Sequence, residues 1–160
     1  MGKFSFGSDP EMMVVDKKGN LKSAIGIVPG KKLERYDLGG GHKAYYDNVL
    51  AECEIKPSYS PEEAVANFGD CIKRCANLIK PYRLVIQASA TFPKKECEHP
   101  DALVFGCDAE YDAYDVLICQ PPSLKEGNTF RSAGGHIHIG FDGGKDFENI
   151  SMSEDEYQKA

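Results

Sequence analysis

Three short stretches carry paired polar side chains two residues apart: Asp9-x-Glu11, Glu52-x-Glu54 and His136-x-His138. In an extended strand successive side chains alternate between faces, so each pair projects from one face of a sheet. One pair alone reads as a solvated strand face as readily as a site. Three pairs on strands of one sheet would form a set of oxygen and imidazole ligands. Four carboxylates converging in a partly buried place repel strongly, and divalent cations are their natural counter-charge. Hard oxygen donors suit Mg²⁺ or Mn²⁺, and imidazole in the set tilts toward Mn²⁺ or leaves the choice open. No cysteine falls in a zinc-type pattern with these histidines, which disfavours structural zinc. Mg²⁺ held by carboxylates keeps positions open for phosphates, so nucleotide chemistry is the leading expectation.

The histidine pair lies in Arg131-Ser132-Ala133-Gly134-Gly135-His136-Ile137-His138-Ile139-Gly140-Phe141, a glycine loop feeding a short strand. Alternation sends Ile137, Ile139 and Phe141 toward a core and both imidazoles to the other face. Gly134 and Gly135 let backbone N–H groups approach a ligand, and Arg131 can hold a carboxylate or phosphate bidentately. The plainer alternatives are an edge strand with two solvated histidines and a surface salt bridge at Arg131.

The elements that would position these groups follow from pattern. Lys3 to Phe6 and Met12 to Asp16 read as strands, and Leu21 to Ala24 returns as a hairpin partner. Ile25 to Gly41 is rich in glycine and reads as a long loop, with Gly39-Gly40-Gly41-His42 either a ligand approach or a hairpin end. Ala44 to Lys56 is strand, broken near Asp47-Asn48. Ala51, Cys53 and Ile55 share one face there; Leu50, Glu52 and Glu54 share the other. Ser60-Pro61-Glu62-Glu63 is a capping box with proline at the first helical position. The helix it opens carries Val65, Phe68, Ile72, Cys75 and Ile79 as an apolar stripe and ends before Pro81. Arg83 to Ala90 reads as a strand, Lys94 to Pro122 as irregular and acidic with a strand near Val116 to Cys119, and Ser153 to Glu156 as a second capping box.

With 160 residues, 41% hydrophobic and 28% charged, the chain suits one domain over residues 1–160. A net charge of −6 and the lack of any basic run argue against a nucleic-acid partner. No apolar stretch approaches a membrane span or a signal-peptide core, so the expected location is the cytoplasm, without membrane association. Cys53, Cys71, Cys75, Cys97, Cys107 and Cys119 form no C-x-x-C pair and read as free thiols used as small apolar residues; Cys71 and Cys75, one helical turn apart, could alternatively clasp a metal. The expected fold class is α+β: a mostly antiparallel curved sheet with one long helix packed on its convex face.

Gly7-Ser8-Asp9-Pro10-Glu11, the run Tyr46 to Pro57, Phe105-Gly106-Cys107-Asp108 and Arg131 to Gly140 together resemble the phage- and bacteria-encoded carboxylate–amine ligases (amidoligases, COOH·NH₂ ligase type 2), related in fold to glutamine synthetase and glutamate–cysteine ligase. Asp9-Pro10-Glu11 is similar to that superfamily's Glu-Pro-Glu strand, with Asp in place of the first Glu, and His136-Ile137-His138 to its His-x-His strand. The resemblance implies a glutamine-synthetase-like catalytic sheet and ATP with Mg²⁺ or Mn²⁺ as cofactors. It implies metal ligands at Asp9, Glu11, Glu52, Glu54 and His136. His138, Gly134 and Gly135 would meet nucleotide phosphate, and Arg131 and Glu54 would serve catalysis. A substrate carboxylate would attack the γ-phosphate to give an acyl phosphate, and a small-molecule amine would displace phosphate. Superfamily members carry more sheet after the His-x-His strand. The expectation is therefore an N-terminal portion, with an oligomer or a second chain completing the site. The alternatives are a non-catalytic phage accessory or assembly protein on the same fold and, more weakly, a metal-dependent phosphohydrolase.

Overall fold

The computed structural model describes residues 3–104, 110–111, 114, 118–119, 124 and 127–142. Its strands in chain order are β1 (Lys3–Ser8), β2 (Glu11–Val15), β3 (Leu21–Lys22), β4 (Gly30–Lys31), β5 (Glu34–Gly39), β6 (His42–Asp47) and β7 (Leu50–Ser58), then β8 (Arg83–Val85), β9 (Ser89–Thr91), β10 (Glu110–Tyr111), β11 (Ile118–Cys119), β12 (Phe130–Ser132) and β13 (Ile137–Asp142). One α-helix, α1 (Pro61–Leu78), and two 3-10 turns, Lys94–Cys97 and Pro100–Leu103, complete the described elements.

β7 is the spine of a nine-stranded curled sheet in the order β13-β1-β7-β6-β4-β5. β1 and β2 both run antiparallel to β7, one after the other, with Asp9-Pro10 at the break between them. β2 also pairs with β3 and β8. Every pairing in this sheet is antiparallel except β4 with β6. The class is thus α+β, mostly sheet with a single helix among the described residues. No described helix is long and apolar enough to cross a membrane.

The helix starts as the capping box predicts. Ser60 Oγ accepts from the Glu63 N–H at 3.1 Å, and Glu63 Oε2 accepts from the Tyr59 N–H at 2.8 Å. α1 packs mainly on β7, against the face formed by Ala51, Cys53 and Ile55, and joins Met12, Val14 and Ala44 in one core cluster. The opposite face of β7 carries Leu50 and Glu52; Leu50 packs with Met13, Val49, Phe92, Cys97 and Ala102 in a second cluster. The four described thiols, Cys53, Cys71, Cys75 and Cys97, are buried and free.

Several expectations are corrected. The buried stripe of α1 is Asn67, Cys71, Cys75 and the C-cap Ile79, whereas Val65 is 75% exposed. The cause is sheet geometry: β7, β6 and β5 lie under the helix, but β1 and β13 extend past it. Ile137, Ile139 and Phe141 do point away from the imidazole face, but onto uncovered sheet, where they are 77%, 67% and 50% exposed. The run Ile25 to Gly41 is not all loop, since β4 and β5 form within it. Its glycines at 39, 40 and 41 all take positive φ and make the β5–β6 hairpin end. The span Arg83 to Ala90 is two short strands, β8 on β2 and β9 on β12. The capping box at Ser153 and the Phe105-Gly106-Cys107-Asp108 stretch lie outside the described residues, as does part of the Val116 to Cys119 strand.

Candidate metal centre

Register decides which polar groups meet. Glu11 on β2 stands opposite Glu52 on β7, and across the other side of β7 Tyr45 stands opposite Glu52. Asp47 ends β6, facing Leu50 across the hairpin. The turn there needs Asn48 at φ 55, a left-handed position that asparagine tolerates. Glu11, Asp47 and Glu52 each bring one carboxylate oxygen to within 4.8 Å of the others. They sit on the sheet face opposite α1, and Glu11 and Asp47 line a cleft of about 380 Å³ with Arg131 and the 132–136 loop.

The electrostatics of this cluster are those of crowded anions. Burial pushes the Glu52 carboxyl up to about 7; a hydrogen bond from the Tyr45 hydroxyl opposes the shift, and the charges of Asp47, Glu11 and Asp9 add to it. Glu11 is likewise raised, first by burial, against a bond from the Gly134 N–H and with Asp47 adding repulsion. Tyr45 is raised by its own burial and by the neighbouring Glu52 charge. A divalent cation would cancel this repulsion, and an all-oxygen donor set suits Mg²⁺ or Mn²⁺.

A second group adjoins the first. β13 lies antiparallel on β1, which sets His138 opposite Gly7, and the chain before it continues past Asp9. Asp9 Oδ1 accepts from the His136 backbone N–H at 2.8 Å and lies 3.2 Å from His136 Nδ1; Asp9 Oδ2 lies 3.1 Å from His138 Nε2. Both imidazoles are otherwise exposed. Gly134 donates its N–H to Glu11 Oε2 at 2.7 Å, so this loop amide orients a carboxylate. A Cβ at Gly135 would come within 3.1 Å of Pro10 Cα, which explains glycine where the loop crosses the Asp9-Pro10 break.

Asp9, Glu11, Glu52, His136, His138, Gly134 and Gly135 therefore gather on one face. Glu54 and Arg131 do not join them as expected. Glu54 shares that face but stands opposite Lys43 rather than Tyr45, and it is ion-paired with Arg35 and, at 3.3 Å, with Lys43. Arg131 is buried and committed to structure. Its Nε donates to Asn48 Oδ1 at 2.7 Å, and its terminal nitrogens donate to the carbonyls of Asn128, Phe130 and Ala102 at 2.8–2.9 Å. It ties the 3-10 turn and the β6–β7 hairpin to β12. Asp47, by contrast, was legible only as a strand break; carrying the alternation of Lys43 and Tyr45 one step further puts it on the same face as Glu52. No family model, no curated protein and no solved structure matches the chain.

Proposed function

We propose that this chain is an ATP- and divalent-metal-dependent carboxylate–amine ligase, or the N-terminal portion of one, with Glu11, Asp47 and Glu52 as the metal ligands. The observation that carries the reading is the convergence of those three carboxylates, two of them lining a cleft, beside Asp9 and the two imidazoles. Three carboxylates held this close by strand register repel one another, and a divalent cation between them would relieve that repulsion. When bound, the metal supplies positive charge for nucleotide phosphates, and the nucleotide supplies phosphoryl activation of a carboxylate toward amide formation. The exposed ring of His136 then offers an N–H donor at the cleft, and His138 stands beside it, each steered by Asp9. Small-molecule acids and amines are the substrate class, and the cytoplasm is the compartment that supplies ATP.

A non-catalytic binding or assembly role is favoured by one observation: the guanidinium of Arg131, expected to grip an anionic substrate, is spent on backbone carbonyls. ADP release measured with Mn²⁺ or Mg²⁺ and mixed amines and amino acids separates the readings. Amine-dependent release supports the ligase. Release indifferent to amine points to a phosphohydrolase. No release, together with no nucleotide-induced thermal shift, leaves the binding role.

A further inference from the structure

The imidazole strand has a second face that the site does not use. On it Phe4 and Phe6 of β1 lie opposite Phe141 and Ile139 of β13, with Ile137 at the end. Phe4 and Phe141 meet at 4.9 Å between ring centroids with their planes tilted by 49°, yet each is at least half exposed. The strip ends against α1, where Val65 and Phe68 are also exposed. A cavity of about 200 Å³ opens at the corner, lined by Phe6, Ile55, Ala64, Phe68 and Ile137. The shape is a step: an apolar sheet floor and an apolar helical wall.

Among the described residues β13 pairs only with β1. Its sequence, Ile-His-Ile-Gly-Phe-Asp, has neither the lysines nor the proline that normally blunt an edge strand.

We propose that a second copy of this chain covers this step, floor on floor about a two-fold axis. Sheets stack about 10 Å apart, close to the diameter of a helix. The α1 wall of each copy then reaches the layer of the other copy's sheet and lies beside its β13. One arrangement thus buries both strips and fills both corner cavities, and the contact is self-complementary as a two-fold interface requires. The exposed part of the floor is about 500 Å² per copy, taking roughly 150–250 Å² for a large apolar side chain. Two floors reach about 1,000 Å² before the walls are added, where specific interfaces begin. Residues 143–160 are a poorer occupant, carrying Asp146, Glu148, Glu154, Asp155 and Glu156 among few large apolar side chains. The proposal is independent of the ligase reading, since it uses the opposite face of β1 and β13.

Sedimentation velocity of the full chain, with hydrogen exchange followed by mass spectrometry, tests it. The expected result is a dimer with a dissociation constant on the order of micromolar. The Ile137–Asp142 amides should gain protection as concentration rises through that range. Ile139→Glu and, separately, Val65→Glu should give monomers with unchanged far-UV circular dichroism. A wild-type chain that stays monomeric overturns the proposal. So does a monomer that dimerises only when cut after Asp142, which would mean that the chain's own C-terminal segment covers the strip. A dimer that survives both glutamate substitutions, or that forms without protecting the β13 amides, also overturns it.

Discussion

Glu11 and Glu52 face each other as a cross-strand pair on β2 and β7, with burial raising the pKa of both. Like charges placed directly opposite destabilise a sheet, and here Asp47 adds a third. The pair carries a clear consequence for stability. Unfolded, the Glu52 carboxyl titrates near its ordinary 4.5; folded, it titrates at about 7. Between these values the folded chain holds a proton that the unfolded chain has lost. The contribution of Glu52 is therefore fully present below 4.5 and is lost as pH rises through about 7.

Chelator-treated protein should accordingly lose about 1–3 kcal/mol of stability across that window relative to Glu52→Gln. Urea denaturation over a pH series reads this directly. Added Mn²⁺ should reverse the trend, raising the melting temperature more at high pH than at low pH, because metal and proton compete for the same oxygens. Equal Mn²⁺ shifts in wild type and Glu52→Gln would remove Glu52 from the ligand set.

Arg131 should behave as a structural residue. Its buried side chain bonds the buried Asn48 and Ala102 and, nearer the surface, the carbonyls of Asn128 and Phe130. Lysine offers a point charge in place of a planar fork and cannot reproduce that spread. Arg131→Lys should cost about 2–4 kcal/mol in urea denaturation, chiefly through the buried Ala102 carbonyl and Asn48 side-chain oxygen left unpaired. Mn²⁺ affinity, measured by calorimetry below the variant's melting temperature, should stay unchanged. A variant of native stability that loses nucleotide binding would return Arg131 to the site.

The paired-residue pattern in the sequence pointed to Glu11 and Glu52 of the carboxylate cluster but not to Asp47, and it read Asp9 and His136 as strand positions, whereas Asp9 lies at the β1–β2 break and His136 just before β13. Alternation could set the two members of each pair on one face, but bringing the three pairs together needed the sheet order. Pattern could not separate Glu52 from Glu54, because that distinction lies in β6. Tyr45 faces one of them, while Lys43, with Arg35 reaching over from β5, neutralises the other. The same limit applies to Ile137, Ile139 and Phe141. Their alternation was correct, but whether an apolar face is covered depends on how far α1 extends across the sheet. The helix itself was legible from its cap, since Ser60, Pro61 and Glu63 act locally.

Asp9 should act as the clasp that holds β13 in register at the site. One carboxylate serves a backbone N–H and two imidazoles across the chain. Asn in its place presents a single acceptor oxygen and an NH₂ group that cannot accept. Asp9→Asn should destabilise the protein by about 1–3 kcal/mol. Amide exchange should accelerate at His136, while the Gly134 amide, bonded to Glu11, changes less. Equal acceleration along the whole of residues 133–138 would show that the two bonds fail together and that Asp9 has no separate hold.

His42 should produce the opposite pH slope from Glu52, which makes the two separable. The ring is fully buried, and Nδ1 accepts from the Lys56 N–H at 3.2 Å, so the proton of the neutral ring sits on Nε2. Asp70 Oδ2 lies 3.6 Å away, beyond a proper hydrogen bond and paired with Arg74 at 2.7 Å. Burial lowers the pKa of His42; Asp70 pulls it upward, and Lys56 and Arg74 push it down. The unfolded ring takes a proton near 6.5 that the folded ring refuses. The stability due to neutral His42 is thus present above 6.5 and is lost as pH falls through the lower folded value. Protonating Nδ1 also removes the acceptor for the Lys56 N–H. That bond joins β6 to β7, next to the Gly39–Gly41 hairpin end, which lies against Arg74. In a Glu52→Gln background, stability should therefore fall on acidification below 6.5. His42→Asn, which keeps an acceptor but cannot titrate, should flatten that fall. An unchanged acid slope in the double variant would assign it to another group.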